Sequence, residues 1–327
     1  MTLDEILEEI KEANSIVILT HETPDGDAVG SSLGMKIALE KLGKNADVII
    51  TKYANMYSFL PKCGEIKIES DIKNYDLAIS LDCATLKRLD NAEYFENAKK
   101  TIVIDHHGSN TMYGDINYVN PVSPACAEIL LAIFSYFKID IDVEIGTCLM
   151  TGIITDTGGL QYPSTTADTF EYAADMLRKG VNISDICKKT LQTQTKSSFE
   201  LSKRAIDRIE LLEDGKIAFT YITNKDFEEV EAEEGDHEGI VNIGREIQGV
   251  EISIFIRQKE DEEEYKVSMR SNTDEINVSD ICLVFGGGGH PRAAGASIKG
   301  DVEQVKEKII TVVKKYLDRG RSFNPEN

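Results

Sequence analysis

At 327 residues, 41% of them hydrophobic, the chain is long enough for two ordinary domains with a core each. A formal charge of -21, from 57 acidic against 36 basic residues, argues against a long nucleic acid as partner and favours short or small anionic substrates. Six cysteines with no C-x-x-C pair read as reduced, structural thiols in core segments, Cys83 beside Asp82 included. The opening MTLDEILEEIKEA is an acidic amphipathic helix rather than a secretory signal, and no apolar run approaches bilayer length, so the expectation is a cytoplasmic protein without a membrane partner.

From there short apolar runs at residues 15–20, 46–51, 77–81 and 101–104 alternate with polar punctuation and periodic segments, the βαβ rhythm of a parallel sheet. Helical patterns at 28–42, 124–137, 143–154 and 166–179 supply layers for both sheet faces. The prediction is a doubly wound α/β domain over 1–186. A polar stretch, DICKKTLQTQTKSS, places a linker at 187–198, after which a helical pattern resumes at 201–212. Strands at 216–222, 250–258 and 265–271, with helices at 224–230, 239–247, 278–285 and 302–317, make a smaller α+β domain over 199–320. The tail 321–327 is expected to lack fixed structure.

His21-Glu-Thr-Pro-Asp25-Gly-Asp27 follows the first apolar run and precedes a helix. In an open parallel sheet ligands collect beyond the carboxyl ends of strands, and Pro24 and Gly26 tighten a turn on which an imidazole and two carboxylates can converge on a cation. A polar loop that merely caps the helix is the alternative. Ile102-Val-Ile-Asp105-His106-His107-Gly108 repeats the arrangement, and its adjacent imidazoles point in different directions, so one can bind metal while the other faces a substrate. Asp82 ends another strand and Asp156 ends an apolar helix before Gly158 and Gly159; each alone is commonplace. Their combination with the two histidine motifs makes a plausible ligand count.

In the second domain four glycines run from Gly286 to Gly289 and lead into His290 and Arg292. Consecutive glycines expose backbone N–H groups that can form an anion nest, His290 and Arg292 add donors, and Arg270-Ser271 at a strand end can add more. A flexible turn is the alternative. Arg245 reads as a surface arginine, and His237, in EEGDHEG, as part of a solvated acidic run without a role.

H-x-x-P-D-G-D, a strand-terminal Asp, D-H-H-G, a later Asp and G-G-G-H-x-x-A-A-G, in that order across both domains, resemble the DHH phosphoesterase superfamily, DHH-DHHA1 subclass. With nothing preceding the first domain and nothing substantial following the second, the chain is more narrowly similar to the stand-alone nanoRNase and pAp phosphatase group. The resemblance implies that His21 and Asp25 hold one metal, that Asp27, His106 and Asp156 hold the other, and that Asp82 bridges them. It also implies that Asp105 supports this shell, that His107 faces the substrate phosphate, and that Arg270, Ser271, Gly287, Gly288, Gly289 and His290 grip the rest of a nucleotide. Two divalent cations follow from it, Mn2+ before Mg2+ or Co2+, and a homodimer is compatible with it.

The implied substrates are short oligoribonucleotides and 3',5'-bisphosphorylated adenosine, hydrolysed by metal-activated water. A cyclic or linear dinucleotide phosphodiesterase would use the same residues. A nucleotide sensor without turnover is the reading of another class, against which the intact ligand set argues.

Overall fold

The computed structural model describes residues 2–233, 235–259 and 263–321, and the chain divides into two compact units, 1–193 and 194–327. Residues 322–327, most of the tail expected to lack fixed structure, lie outside the described residues.

In the first unit α1 (Thr2–Glu12) leads into β1 (Ile16–Leu19), α2 (Gly26–Lys41), β2 (Ala46–Val48), β3 (Leu77–Leu81), α3 (Ala92–Glu96), β4 (Lys100–Asp105) and β5 (Ile116–Val119). Four helices follow: α4 (Cys126–Tyr136), α5 (Val143–Asp156), α6 (Ala167–Arg178) and α7 (Ile183–Cys187). All five strands are parallel, in the order β2-β1-β3-β4-β5, with Ile16 opposite Ala46 on one side and Leu77 on the other. Both sheet faces are buried, as a parallel sheet requires. Ile16, Ile18, Ile79, Leu81, Ile102 and Ile104 pack with α2 and α4, while the alternate residues Val17, Leu19, Ala78 and Val103 meet Tyr75, Tyr94 and Phe95.

The two faces are unequally clothed. On the second face α3 and irregular turns do the covering, and α5 stacks on α2 and α4 as a further layer. That third layer depends on glycine: a Cβ at Gly30 would collide with the Cys148 carbonyl oxygen, so α2 and α5 touch backbone to backbone. The chain reverses its direction of growth between β1 and β3, which opens a crevice at their carboxyl ends.

The polar stretch expected as a linker is largely ordered, a π-helical turn at Lys188–Gln192 continuing α7. The second unit starts with α8 (Lys196–Asp207), β6 (Glu210–Leu212), β7 (Ile217–Ile222), α9 (Asn224–Glu229), α10 (Ile240–Arg245), β8 (Ile252–Gln258) and β9 (Glu264–Ser271), then α11 (Val278–Leu283), β10 (Gly288–His290), β11 (Ala293–Lys299) and α12 (Val302–Arg321). Its sheet runs β10-β11-β9-β8-β7-β6, parallel only between β7 and β8.

The helix expected over 201–212 stops at Asp207, because Glu213, Asp214 and Gly215 adopt φ of 51°, 55° and 83° and fold Glu210–Leu212 back against β7 as a hairpin. Buried Asp226 ties α8 down, accepting from Arg204 Nη1 at 3.0 Å and from Arg208 Nη1 and Nη2 at 2.6 and 2.8 Å. Among the described residues no helix is long and apolar enough to cross a membrane.

His237 is not solvated as its acidic neighbours suggest. Its ring centroid lies 6.0 Å from that of Phe227 and 6.4 Å from that of Phe255, and Nδ1 is buried without a hydrogen-bond partner. Burial, then repulsion from Arg257 and Lys266, lowers its pKa from 6.5 to about 3. A depressed histidine stabilises the fold above its unfolded pKa and loses that contribution as pH falls from 6.5 towards about 3. Replacing His237 with Phe is expected to flatten the fall of Tm over this window, measured by thermal unfolding at a series of pH values; parallel curves for the two proteins would refute it.

Candidate metal centre

Three strands of the first unit end in the crevice. β1 runs into His21, β3 into Asp82, and β4 ends on Asp105, followed at once by His106 and His107. Helices deliver the rest: Asp25 and Asp27 begin α2, and Asp156 is the last residue of α5. Asp25 is the N-cap of α2, its Oδ1 accepting from the amides of Asp27 and Ala28 at 3.0 and 3.1 Å. The capping reading of this loop is thus realised at Asp25, and it competes little with ligation because a carboxylate has lone pairs on two oxygens.

Asp27 is fully buried. Its Oδ2 accepts from the Cys126 amide at 2.6 Å, and its Oδ1 from the Ala127 amide at 2.9 Å and from Ser31 Oγ at 3.1 Å. Both donated amides belong to the open N-terminus of α4, where an anion is favoured.

Ligand atoms of His21, Asp25 and Asp82 lie within 4.8 Å of one another, as do those of Asp27, His106 and Asp156, and those of Asp82, Asp105 and His107. Asp82 joins the groups: its Oδ2 is 3.6 Å from His21 Nε2, and its Oδ1 is 3.3 Å from His106 Nε2 and 3.5 Å from His107 Nδ1. His106 Nε2 is also 3.4 Å from Asp156 Oδ2 and 3.9 Å from Asp27 Oδ2. Asp82 has φ of 52°, a left-handed backbone that Asp adopts more readily than most residues at a cost of about 1 kcal/mol. Strain of this kind collects at functional sites.

The electrostatics are those of crowded buried carboxylates. Burial, then the Asp82 charge, pushes the Asp27 carboxyl up to about 7. Burial, then Asp27 and Asp25, puts Asp156 well above the ordinary carboxylate range. Burial also opposes ionisation of Asp82, but the His106 and His21 rings outweigh it and hold its carboxyl below the usual range. Against its own burial, the His106 ring is held well above the ordinary histidine value by Asp82.

The residues present fit divalent cations. Asp82 Oδ1 is 2% exposed in its residue and has no hydrogen-bond partner, and His21 Nδ1 is likewise buried and unsatisfied. Imidazole nitrogens and carboxylate oxygens form a mixed donor set, and cations would neutralise the repulsion that now raises Asp27 and Asp156.

Asp105 stands behind this cluster. Its Oδ1 accepts from the His106 amide and contacts His107 Nδ1, both at 2.8 Å, and its Oδ2 accepts from Asn110 Nδ2 at 2.6 Å. The sequence reading passes over Asn110. Its side chain also donates to the Cys83 carbonyl at 3.2 Å and accepts from the Met112 amide at 2.7 Å, so it is fixed from three sides. The only signal was its place in a polar turn, which marks a loop and not a role.

In the second unit the second half of the glycine run is strand. Gly288 pairs with Gly295, Gly289 with Ala294 and His290 with Ala293. A Cβ at Gly287 or Gly289 would collide with the carbonyl oxygen of Gly295 or Ala293, so close strand approach, rather than an anion nest alone, demands glycine there. Arg270, next to last in β9, is half-buried, its Nη1 donating to the Met269 carbonyl at 3.0 Å. Ser271 is 2% exposed and its hydroxyl donates to the Thr273 carbonyl at 2.8 Å, which makes it a turn-former. Arg292, expected to add donors, pairs with Asp274 at 2.5 Å.

Comparison with known proteins agrees with this layout. Residues 15–153 match the DHH family N-terminal domain and residues 214–319 the DHHA1 domain. A Thermus thermophilus protein named bifunctional oligoribonuclease and PAP phosphatase NrnA is 34% identical over 93% of this chain and 90% of its own. The Listeria monocytogenes cyclic-di-AMP phosphodiesterase PdeA is 25% identical over 94% of this chain but only 48% of its own. The crystal structure of an exopolyphosphatase-related protein from Bacteroides fragilis superposes with a TM-score of 0.86 at 27% identity, covering 97% of this chain and 96% of the other. On the matched domains and this shared length, the chain belongs to the DHH phosphoesterase family and carries a DHHA1 domain as its second unit.

Proposed function

We propose that the chain hydrolyses short oligoribonucleotides to mononucleotides and 3',5'-bisphosphorylated adenosine to AMP, using two divalent cations. The observation that carries the proposal is the sharing of Asp82 between His21 and Asp25 on one side and His106, with its neighbours Asp27 and Asp156, on the other. The names of relatives, with the bifunctional oligoribonuclease and PAP phosphatase spanning nearly the whole chain, support the substrate class. Of the two enzymatic readings the cyclic-dinucleotide one is weaker, since the chain spans about half of that relative.

His21 and Asp25 would hold one cation, Asp27, His106 and Asp156 the other, and Asp82 both. When bound, the cations supply Lewis acidity, which makes a nucleophilic water available near neutral pH and offsets charge building on phosphorus. Mn2+ suits this imidazole and carboxylate set better than Mg2+, which prefers oxygen.

The protein's own work is orientation and proton handling. Asp105 holds His107 through Nδ1, which leaves Nε2 as the nitrogen able to meet a phosphoryl or leaving oxygen. The Asp105 contact also keeps the His107 ring above the ordinary histidine value despite burial, so the ring is equipped to donate. Within the second unit Arg270, His290, Gly288 and Gly289 are the groups offered to an anionic ligand, whereas the Gly287 amide already donates to the Cys282 carbonyl at 2.9 Å. Short anionic substrates accord with the acidic composition.

Initial rates with Mn2+ on pAp, RNA dinucleotides to pentanucleotides and cyclic di-AMP test the assignment. Release of AMP and mononucleotides is expected to dominate, and preference for the cyclic dinucleotide, or no turnover at all, would overturn it. Asp82→Ala is expected to abolish activity together with tight binding of the second cation, followed by calorimetric titration with Mn2+. Asn110→Ala is expected to lower kcat by roughly 10 to 100-fold through Asp105 and His107, with KM and Mn2+ stoichiometry near wild type; an unchanged kcat would remove Asn110 from the machinery.

A further inference from the structure

Gly152 sits one helical turn before Asp156 on α5, so the two residues share a helix face. That face meets the first turn of α2. A Cβ at residue 152 would lie inside van der Waals contact of Asp27 Oδ1, 2.8 Å from Ala127 Cβ and 3.0 Å from Asp27 Cα. The space it would occupy is the one that lets the Asp27 carboxylate keep its bonds to the Cys126 and Ala127 amides. Helix α5 therefore contributes bare backbone at one turn and a carboxylate at the next, both against the same neighbour.

We infer that Gly152 is a positioning residue for the cation subsite formed by Asp27, His106 and Asp156, the missing side chain being what allows Asp27 to face His106 and Asp156 at once. Any side chain at 152 displaces Oδ1, and the two α4 amides, which hold the carboxylate in place, resist the movement. The subsite of His21, Asp25 and Asp82 has no contact with this position among the closest neighbours of a Cβ there and keeps its cation. An independent sign of a ligand at the shared edge is Asp82 Oδ1, buried and without a hydrogen-bond partner.

The inference rests on the two-cation reading, and Mn2+ alone is the probe. Full-length protein carrying Gly152→Ala together with Ala127→Gly relieves the Cβ contact between residues 152 and 127 while leaving the one with Asp27. Gly34→Ala, whose Cβ meets the flexible Leu149 side chain at 2.7 Å, controls for a methyl group added elsewhere on the α2 and α5 contact. Wild type and Gly34→Ala are expected to bind two Mn2+ by calorimetry and to show a spin-coupled pair by electron paramagnetic resonance. The double variant is expected to bind one, without coupling, and to melt cooperatively when metal-free. Two Mn2+ bound with wild-type affinity by the double variant would overturn the role of Gly152. So would loss of cooperative melting in the metal-free double variant, because packing rather than ligand placement would then explain the glycine. A wild-type stoichiometry of one would instead overturn the two-cation reading, and this inference with it.

Discussion

Everything around the candidate centre leans on the carboxylate of Asp27. It is fully buried, it closes the N-terminus of α4 through two amides, it takes the Ser31 hydroxyl, and it lies against the bare backbone of α5 at Gly152. Three helices are thereby referenced to one charged group. An unpaired carboxylate in such a place would be strongly destabilising, and the α4 amides offset part of that cost before any cation arrives. What they leave is visible in the raised carboxyl of Asp27.

The two adjacent histidines divide their work by direction. Successive side chains at the end of a strand point to opposite sides, so His106 turns to Asp82 and Asp156 while His107 turns its Nδ1 to Asp105. The rings meet edge to face with centroids 4.7 Å apart, which keeps them distinct in orientation though adjacent in sequence. Asp105 is the hinge of this division, because it holds the His106 amide and the His107 ring with the same oxygen.

The elements that carry the site were legible because each is a strand or helix end marked by an abrupt change from apolar to acidic or imidazole residues, as at Leu81-Asp82 and Ile104-Asp105. Four strands of the parallel sheet were equally legible from their continuous apolar runs, whereas β5, with the half-buried polar sequence INYV, was not. What escaped was whatever depends on tertiary pairing. Strands β10 and β11 are built from glycine and alanine, which lack strand propensity, and β6 reads as helix until the turn at Glu213 to Gly215 folds it back. His237 misled because acidic neighbours on one side say nothing of Phe227 and Phe255 on the other. Asn110 and Gly152 escaped for a related reason: one is a turn residue and the other a helix glycine until their neighbours are known.

The glycine run of the second unit is four residues with different liberties. Gly287 and Gly289 are pinned by the carbonyl oxygens of β11, and Gly286 by φ of 74°, whereas a Cβ at Gly288 meets nothing within 4 Å. Drift in sequence is therefore sterically open at the third glycine alone. An invariant residue at 288 in related chains would record pressure from a ligand, while invariance at 287 and 289 is already accounted for by the closeness of two strands.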